Sequence, residues 1–131
     1  ILIQANAPSF ATALNLRNVV TRHVPLALIA IGQTMVIISG QIDLSVGSVM
    51  ALSAVTAALL LPTQSVAVAV GAALAVGAAC GMVSGLVTTR AKVPSFVVTL
   101  AMMGLARGLA LAVAGLAGLG WLRRGGPLTA D

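Results

Sequence analysis

Long apolar runs alternate along this chain with short polar interruptions, at a spacing that suits membrane-crossing helices. The first full run goes from Val24 to Gly40. At about 1.5 Å per residue it is roughly 26 Å long, enough to cross a hydrocarbon core. Pro25 suits the first turn of such a helix, where no backbone N–H is needed. Gly40-Gln41-Ile42-Asp43 interrupts the pattern, and a second run follows from Ser45 to Leu61, ended by Pro62-Thr63-Gln64. A third extends from Val66 to Val87 and closes on the basic stretch Thr89-Arg90-Ala91-Lys92. Pro94 opens a fourth, which runs to Gly118 with Arg107 inside it. Ahead of these, Ile1 to Ala5 reads as the end of an earlier helix and Asn15 to His23 as a short amphipathic approach. The connections leave no room for a soluble domain. Residues 1–131 therefore read as one all-α unit, a polytopic transmembrane helix bundle with spans near 24–40, 45–61, 66–87 and 94–118.

Composition agrees with this pattern. Of 131 residues, 60% are hydrophobic and only 7% charged, and the mean hydropathy is +1.14. A soluble domain carries about 25% charged residues. No charge at all lies between Leu44 and Thr89, a stretch too long for one crossing. The net charge of +5 comes from basic residues standing singly or in pairs at the ends of apolar runs. They are flanking anchors, and a nucleic-acid footprint would need a clustered basic face. Trp121 beside Arg123 and Arg124 is the clearest interfacial anchor in a chain with few aromatics.

Two charges fall inside the apolar pattern, and each carries a functional question. A carboxylate at bilayer depth costs about 2.5 to 3.5 kcal/mol on insertion scales, so Asp43 should face protein or water. In the order Asp43-Leu44-Ser45-Val46-Gly47-Ser48 the carboxylate can cap the start of the second helix, while Gly40 and Gly47 permit a tight break and close backbone approach. Broken helices at membrane depth are tolerated where they line a cavity or are buried in protein. Gly40, Asp43, Leu44, Ser45 and Gly47 are thus candidates for a helix break beside a translocation path. The plainer reading, a cap in an interfacial loop, stands beside it. Arg107 is the second charge, either reaching toward an interface or pairing with Asp43.

The third run carries Ala69, Ala73, Gly77, Gly81 and Gly85 at intervals of four, and the stripe Gly77-Gly81-Gly85 reads as a helix-packing face. Other chemistry is not indicated. One histidine, His23, and one cysteine, Cys80, supply no metal ligand set. There is no phosphate-cradling glycine loop with Lys, and a nucleophile–base–acid set cannot be assembled. No catalytic residue, metal or cofactor is expected.

From Asn15-Leu16-Arg17-Asn18-Val19, and above all from Ile31 through Ser48 with its core Gly40-Gln41-Ile42-Asp43-Leu44-Ser45-Val46-Gly47-Ser48, the sequence resembles the permease subunits of bacterial ribose-type ABC sugar importers. Gln41 stands where that family usually has Gly. Val93-Pro94-Ser95-Phe96-Val97-Val98-Thr99-Leu100 and Ala106-Arg107-Gly108-Leu109 resemble its next block, and the similarity covers residues 10–113. The resemblance implies a multi-pass subunit of the bacterial inner membrane, embedded in lipid and forming part of a sugar path by alternating access. It also implies a second permease subunit, cytoplasmic ATPase subunits that hydrolyse the ATP, and a periplasmic sugar-binding protein as partners. Arg17 and Arg22 would lie on the periplasmic side, with Arg90 and Lys92 in the cytoplasm. The opening Ile and the unfamiliar tail from Gly115 to Asp131 suggest a truncated piece of that permease. The alternative function is a non-transporting membrane fragment or scaffold that packs through the Gly77-Gly81-Gly85 face.

Overall fold

The computed structural model describes residues 12–123. The expectations for Ile1 to Ala5 and for Arg124 to Asp131 lie outside them. Four helices account for most of the described residues: α1 (Ala13–Ile38), α2 (Val46–Leu60), α3 (Val66–Arg90) and α4 (Ser95–Arg123). The chain divides into two compact units, Ile1–Gly40 and Gln41–Asp131.

The first unit holds α1. Thr12 caps it, its Oγ1 accepting from the Asn15 N–H at 3.3 Å. The helix therefore starts well ahead of Val24 and absorbs the expected amphipathic approach. The polar side chains there find partners one turn back: Thr21 Oγ1 donates to the Arg17 carbonyl at 2.8 Å, and His23 Nδ1 lies 2.7 Å from the Val19 carbonyl oxygen. As a result Pro25 sits in the helix interior, not in the first turn, and removes one internal hydrogen bond. The C-terminus is built as the sequence suggests. Ser39 Oγ donates to the Val36 carbonyl at 2.7 Å, and the Gly40 N–H donates to Ile37 at 2.9 Å. Gly40 then turns the chain at φ 72°, a left-handed conformation that glycine adopts without the clash a Cβ brings.

The second unit is a three-helix body. Its buried cluster is small-grained, with Leu52 of α2 against Ala106 and Ala110 of α4, flanked by Val49, Val55, Val76 and Cys80. Alanines let the helix axes come close, and the large side chains point outward: Leu105, Leu109, Leu111 and Leu116 of α4 are all more than half exposed. An exterior of Leu and Val around a core of Ala is the arrangement expected where lipid is the solvent and packing drives association. The helix ends are set locally. Ser65 Oγ accepts from the Val68 N–H at 3.4 Å to start α3, and the Pro94 carbonyl accepts from Val97 and Val98 to start α4. Past the α3 C-terminus, Lys92 holds φ 54°, a left-handed position usually given to glycine. Arg90 in the last turn places a cation at the negative end of the α3 dipole.

Three of the helices, α1, α3 and α4, are long and apolar enough to cross a membrane, while α2 is shorter at 15 residues. At about 1.5 Å per residue α2 measures roughly 22 Å, less than the ~30 Å of a hydrocarbon core. A crossing through this part of the chain therefore draws on flanking residues outside the helix, before Val46 or after Leu60.

Candidate functional site: the non-helical segment before α2

Residues 41–45 have no regular secondary structure, so their backbone groups need partners that neither helix nor sheet supplies. α4 provides two of them. The Ile42 N–H donates to Ser95 Oγ at 3.1 Å, and the Ile42 carbonyl accepts from Thr99 Oγ1 at 3.3 Å. Ser95 and Thr99 are one helical turn apart, so their hydroxyls rise from one face of α4 and hold both polar groups of a single residue. Thr99 Oγ1 is shared with the Phe96 carbonyl of its own helix, also at 3.3 Å.

Asp43 secures the other end. Its Oδ1 accepts from the Ser45 N–H at 2.8 Å and from Ser45 Oγ at 2.7 Å. This is an Asx-type turn, in which a carboxylate binds the backbone two residues on. Ser45 is the N-cap of α2, but its hydroxyl is turned to Asp43 and makes no cap bond to the helix. Asp43 therefore fixes the residue that caps α2. Gly47 sits inside the first turn of α2, and among the described residues nothing lies within 4 Å of the place its Cβ would occupy. Leu44 is 44% exposed.

The level of this segment within the three-helix body follows from its contacts. Ile42 is tied to the first turn of α4, immediately after the basic stretch Arg90 to Lys92. A Cβ built on Gly77 would lie 3.6 Å from Ser53 Oγ, which aligns α2 and α3. Seven residues further along each antiparallel helix, about 10 Å, Ser84 stands opposite Val46. Arg90 is six residues beyond, about 9 Å. The segment thus lies close to the end of the bundle that carries Arg90 and Lys92. The buried polar residues among those described, Ser45, Ser84 and Thr99, gather at this level. Ser84 Oγ is buried with no hydrogen-bond partner among the described residues.

Other residues singled out from the sequence lie elsewhere. Arg107 is exposed on α4. It is eight residues beyond Thr99, about 12 Å along the axis, and about 100° around the helix from buried Ala106. That separation does not favour a direct pair with Asp43. Of the glycine stripe, Gly77 faces Ser53, whereas Gly81 and Gly85 are exposed with nothing within 4 Å of a built Cβ. The reason is geometric: the stripe stands one position beyond Val76, Cys80 and Ser84, about 100° around the helix from them. The face that packs runs instead through Ala69, Val76, Cys80 and Ser84. Ser95 and Thr99 were not singled out individually. Two hydroxyls spaced i, i+4 just after a proline, in an otherwise apolar helix, were the available signal.

Long apolar helices, with an apolar exterior and a small-grained core in the three-helix body, define a polytopic helical membrane protein. The chain matches the family described as "branched-chain amino acid transport system / permease component" over residues 15–125, and it belongs to that family. It is 40% identical over 111 residues to the ribose import permease protein RbsC of Escherichia coli (strain K12), covering 84% of this chain and 35% of that protein. It is 35% identical over 109 residues to the L-arabinose ABC transporter permease protein AraH of Azospirillum brasilense, covering 82% and 32%. With the galactofuranose transporter permease protein YtfT of Escherichia coli (strain K12) it shares 42% identity over 94 residues, 71% and 28% of the two chains. The chain thus spans about a third of the length of these relatives. No solved structure matches it. Family and helices together make it a multi-pass protein of the bacterial inner membrane, and the expected ribose-type permease family is the one found.

Proposed function

We propose that this chain is a membrane-spanning part of an ATP-driven sugar importer, and that residues Gly40 to Gly47 lie beside its translocation path. The likeness to permeases named for ribose, L-arabinose and galactofuranose supports the sugar class. The single observation that carries the role of the segment is the clamp on Ile42, where non-helical backbone in an apolar bundle is satisfied by two α4 hydroxyls. Irregular backbone persists in such surroundings where it is buried in protein or borders a polar cavity, and a carboxylate beside it adds the polar lining a sugar needs.

In this reading ATP is hydrolysed on cytoplasmic ATPase subunits, a periplasmic sugar-binding protein delivers the solute, and a second permease subunit completes the path. Arg90 and Lys92 face the cytoplasm, which puts the Asp43 segment near the cytoplasmic mouth. The four crossings then run through 24–40, 45–61, 66–87 and 94–118. The scaffold alternative has less support, because the family and the relatives it matches are permease components of transport systems.

Co-purification from native membranes tests the assembly: an ATPase subunit and a sugar-binding protein should accompany the tagged chain. Uptake of radiolabelled ribose, L-arabinose and galactose, with the gene present or deleted, tests the activity. A deletion that leaves all three rates unchanged, with no ATPase recovered, rejects the importer reading.

A further inference from the structure

Ile42 is held in an unusual way. Its side chain is 55% exposed and that of Leu44 is 44% exposed, so apolar burial does not fix this stretch. What fixes it is polar: Ser95 Oγ on the Ile42 N–H, Thr99 Oγ1 on the Ile42 carbonyl, and the Asp43 carboxylate on Ser45. Thr99 is only 5% exposed, so its hydroxyl bond is shielded from competing water. Thr99 also lies on the face of α4 that continues through Met102, Ala106 and Ala110, all buried. The residue that grips Ile42 is therefore seated in the same face by which α4 packs on α2.

We propose that Ser95 and Thr99 are positioning residues: together they make residues 42–45, the Asp43 carboxylate and the start of α2 move with α4 as one body. Any displacement of the first turn of α4 carries the Asp43 carboxylate with it, because both polar groups of Ile42 are engaged and the Asx turn leaves little slack before α2. Loss of the hydroxyls frees the segment without opening the alanine core, since that core lies further along both helices. The effect on transport rests on the importer reading above; the coupling of the segment to α4 does not.

The test uses thiol chemistry in the full chain in native membranes. In a Cys80→Ala background, Leu44→Cys reports on the segment through its rate of reaction with a small maleimide. Ser95→Ala/Thr99→Val should raise that rate by about tenfold or more, tenfold being about 1.4 kcal/mol, a value within reach of two lost hydrogen bonds. Thr99→Ser, which keeps the hydroxyl, should react at the parent rate. In whole-cell uptake, Thr99→Val should lower the maximal rate and leave the half-saturating sugar concentration unchanged, with Thr99→Ser restoring it. An unchanged maleimide rate in the double variant, at normal membrane yield and helix content, overturns the proposal. Lack of sugar uptake by the parent chain overturns the importer reading alone and leaves the thiol result standing.

Discussion

Thr99 and Ile42 are 57 residues apart in the chain, yet Thr99 Oγ1 donates to the Ile42 carbonyl at 3.3 Å. That bond, with its companion from Ser95, joins the two stretches by which the sequence resembles its family, one around Asp43 and the other opening with Val93-Pro94-Ser95. Each stretch supplies what the other lacks, backbone without partners on one side and hydroxyls on the other. Several consequences can be measured.

Asp43 acts through an acceptor oxygen as well as a charge. Asp43→Asn keeps an oxygen for the Ser45 N–H and should cost less than Asp43→Ala, which leaves both Ser45 donors without that partner. Removing the acceptor for a part-buried donor costs about 1 to 3 kcal/mol. Thermal unfolding in detergent should rank parent, Asn, Ala in descending midpoint, and an Ala variant as stable as the parent contradicts the Asx turn.

Gly40 and Gly47 look alike in the sequence and should behave in opposite ways. Gly40→Ala forces a Cβ into φ 72° and should destabilise by about 1 to 2 kcal/mol. Gly47→Ala enters open space inside a helix and should be neutral or stabilising by up to about 1 kcal/mol. Chemical denaturation of the two variants side by side reads the difference.

Ser84 buries a hydroxyl that has no hydrogen-bond partner among the described residues, so its removal should be nearly harmless. Ser84→Ala is expected within about 0.5 kcal/mol of the parent or more stable, because deleting an unsatisfied buried group removes a desolvation cost. A loss above 1.5 kcal/mol on the same denaturation curve would reveal a partner for this hydroxyl outside residues 12–123.

Exchanging the two interior charges checks the separation of Asp43 from Arg107. With about 12 Å of helix axis between Thr99 and Arg107, Asp43→Arg/Arg107→Asp should insert and fold no better than the poorer single variant. Recovery of membrane yield in the double variant would mean that the side chains meet.

The alternation of apolar runs with short polar breaks was enough to define an all-α membrane bundle, because a bilayer permits few other solutions to backbone hydrogen bonding. The break at Gly40 was equally plain, since a positive φ at a helix end selects glycine by local sterics alone. Boundaries shifted where side chains found helical partners, as with Thr21 and His23 extending α1 past Pro25. Within the glycine stripe, only the tertiary placement of Ser53 picks out Gly77 as the residue that meets α2, because spacing alone does not say which side of α3 turns to its neighbours.

By itself, then, the sequence determined the class of the protein, its family, the glycine turn at residue 40 and the special standing of Asp43, all properties of local chemistry and hydropathy. The tertiary structure alone decided what holds residues 41–45 and where they lie: Ser95 and Thr99 grip Ile42 near the basic end of the bundle, and Arg107 lies further along α4. The register between α2, α3 and α4 depends on which small residues meet across helices, and that is a property of three packed surfaces, which no single run of the chain contains.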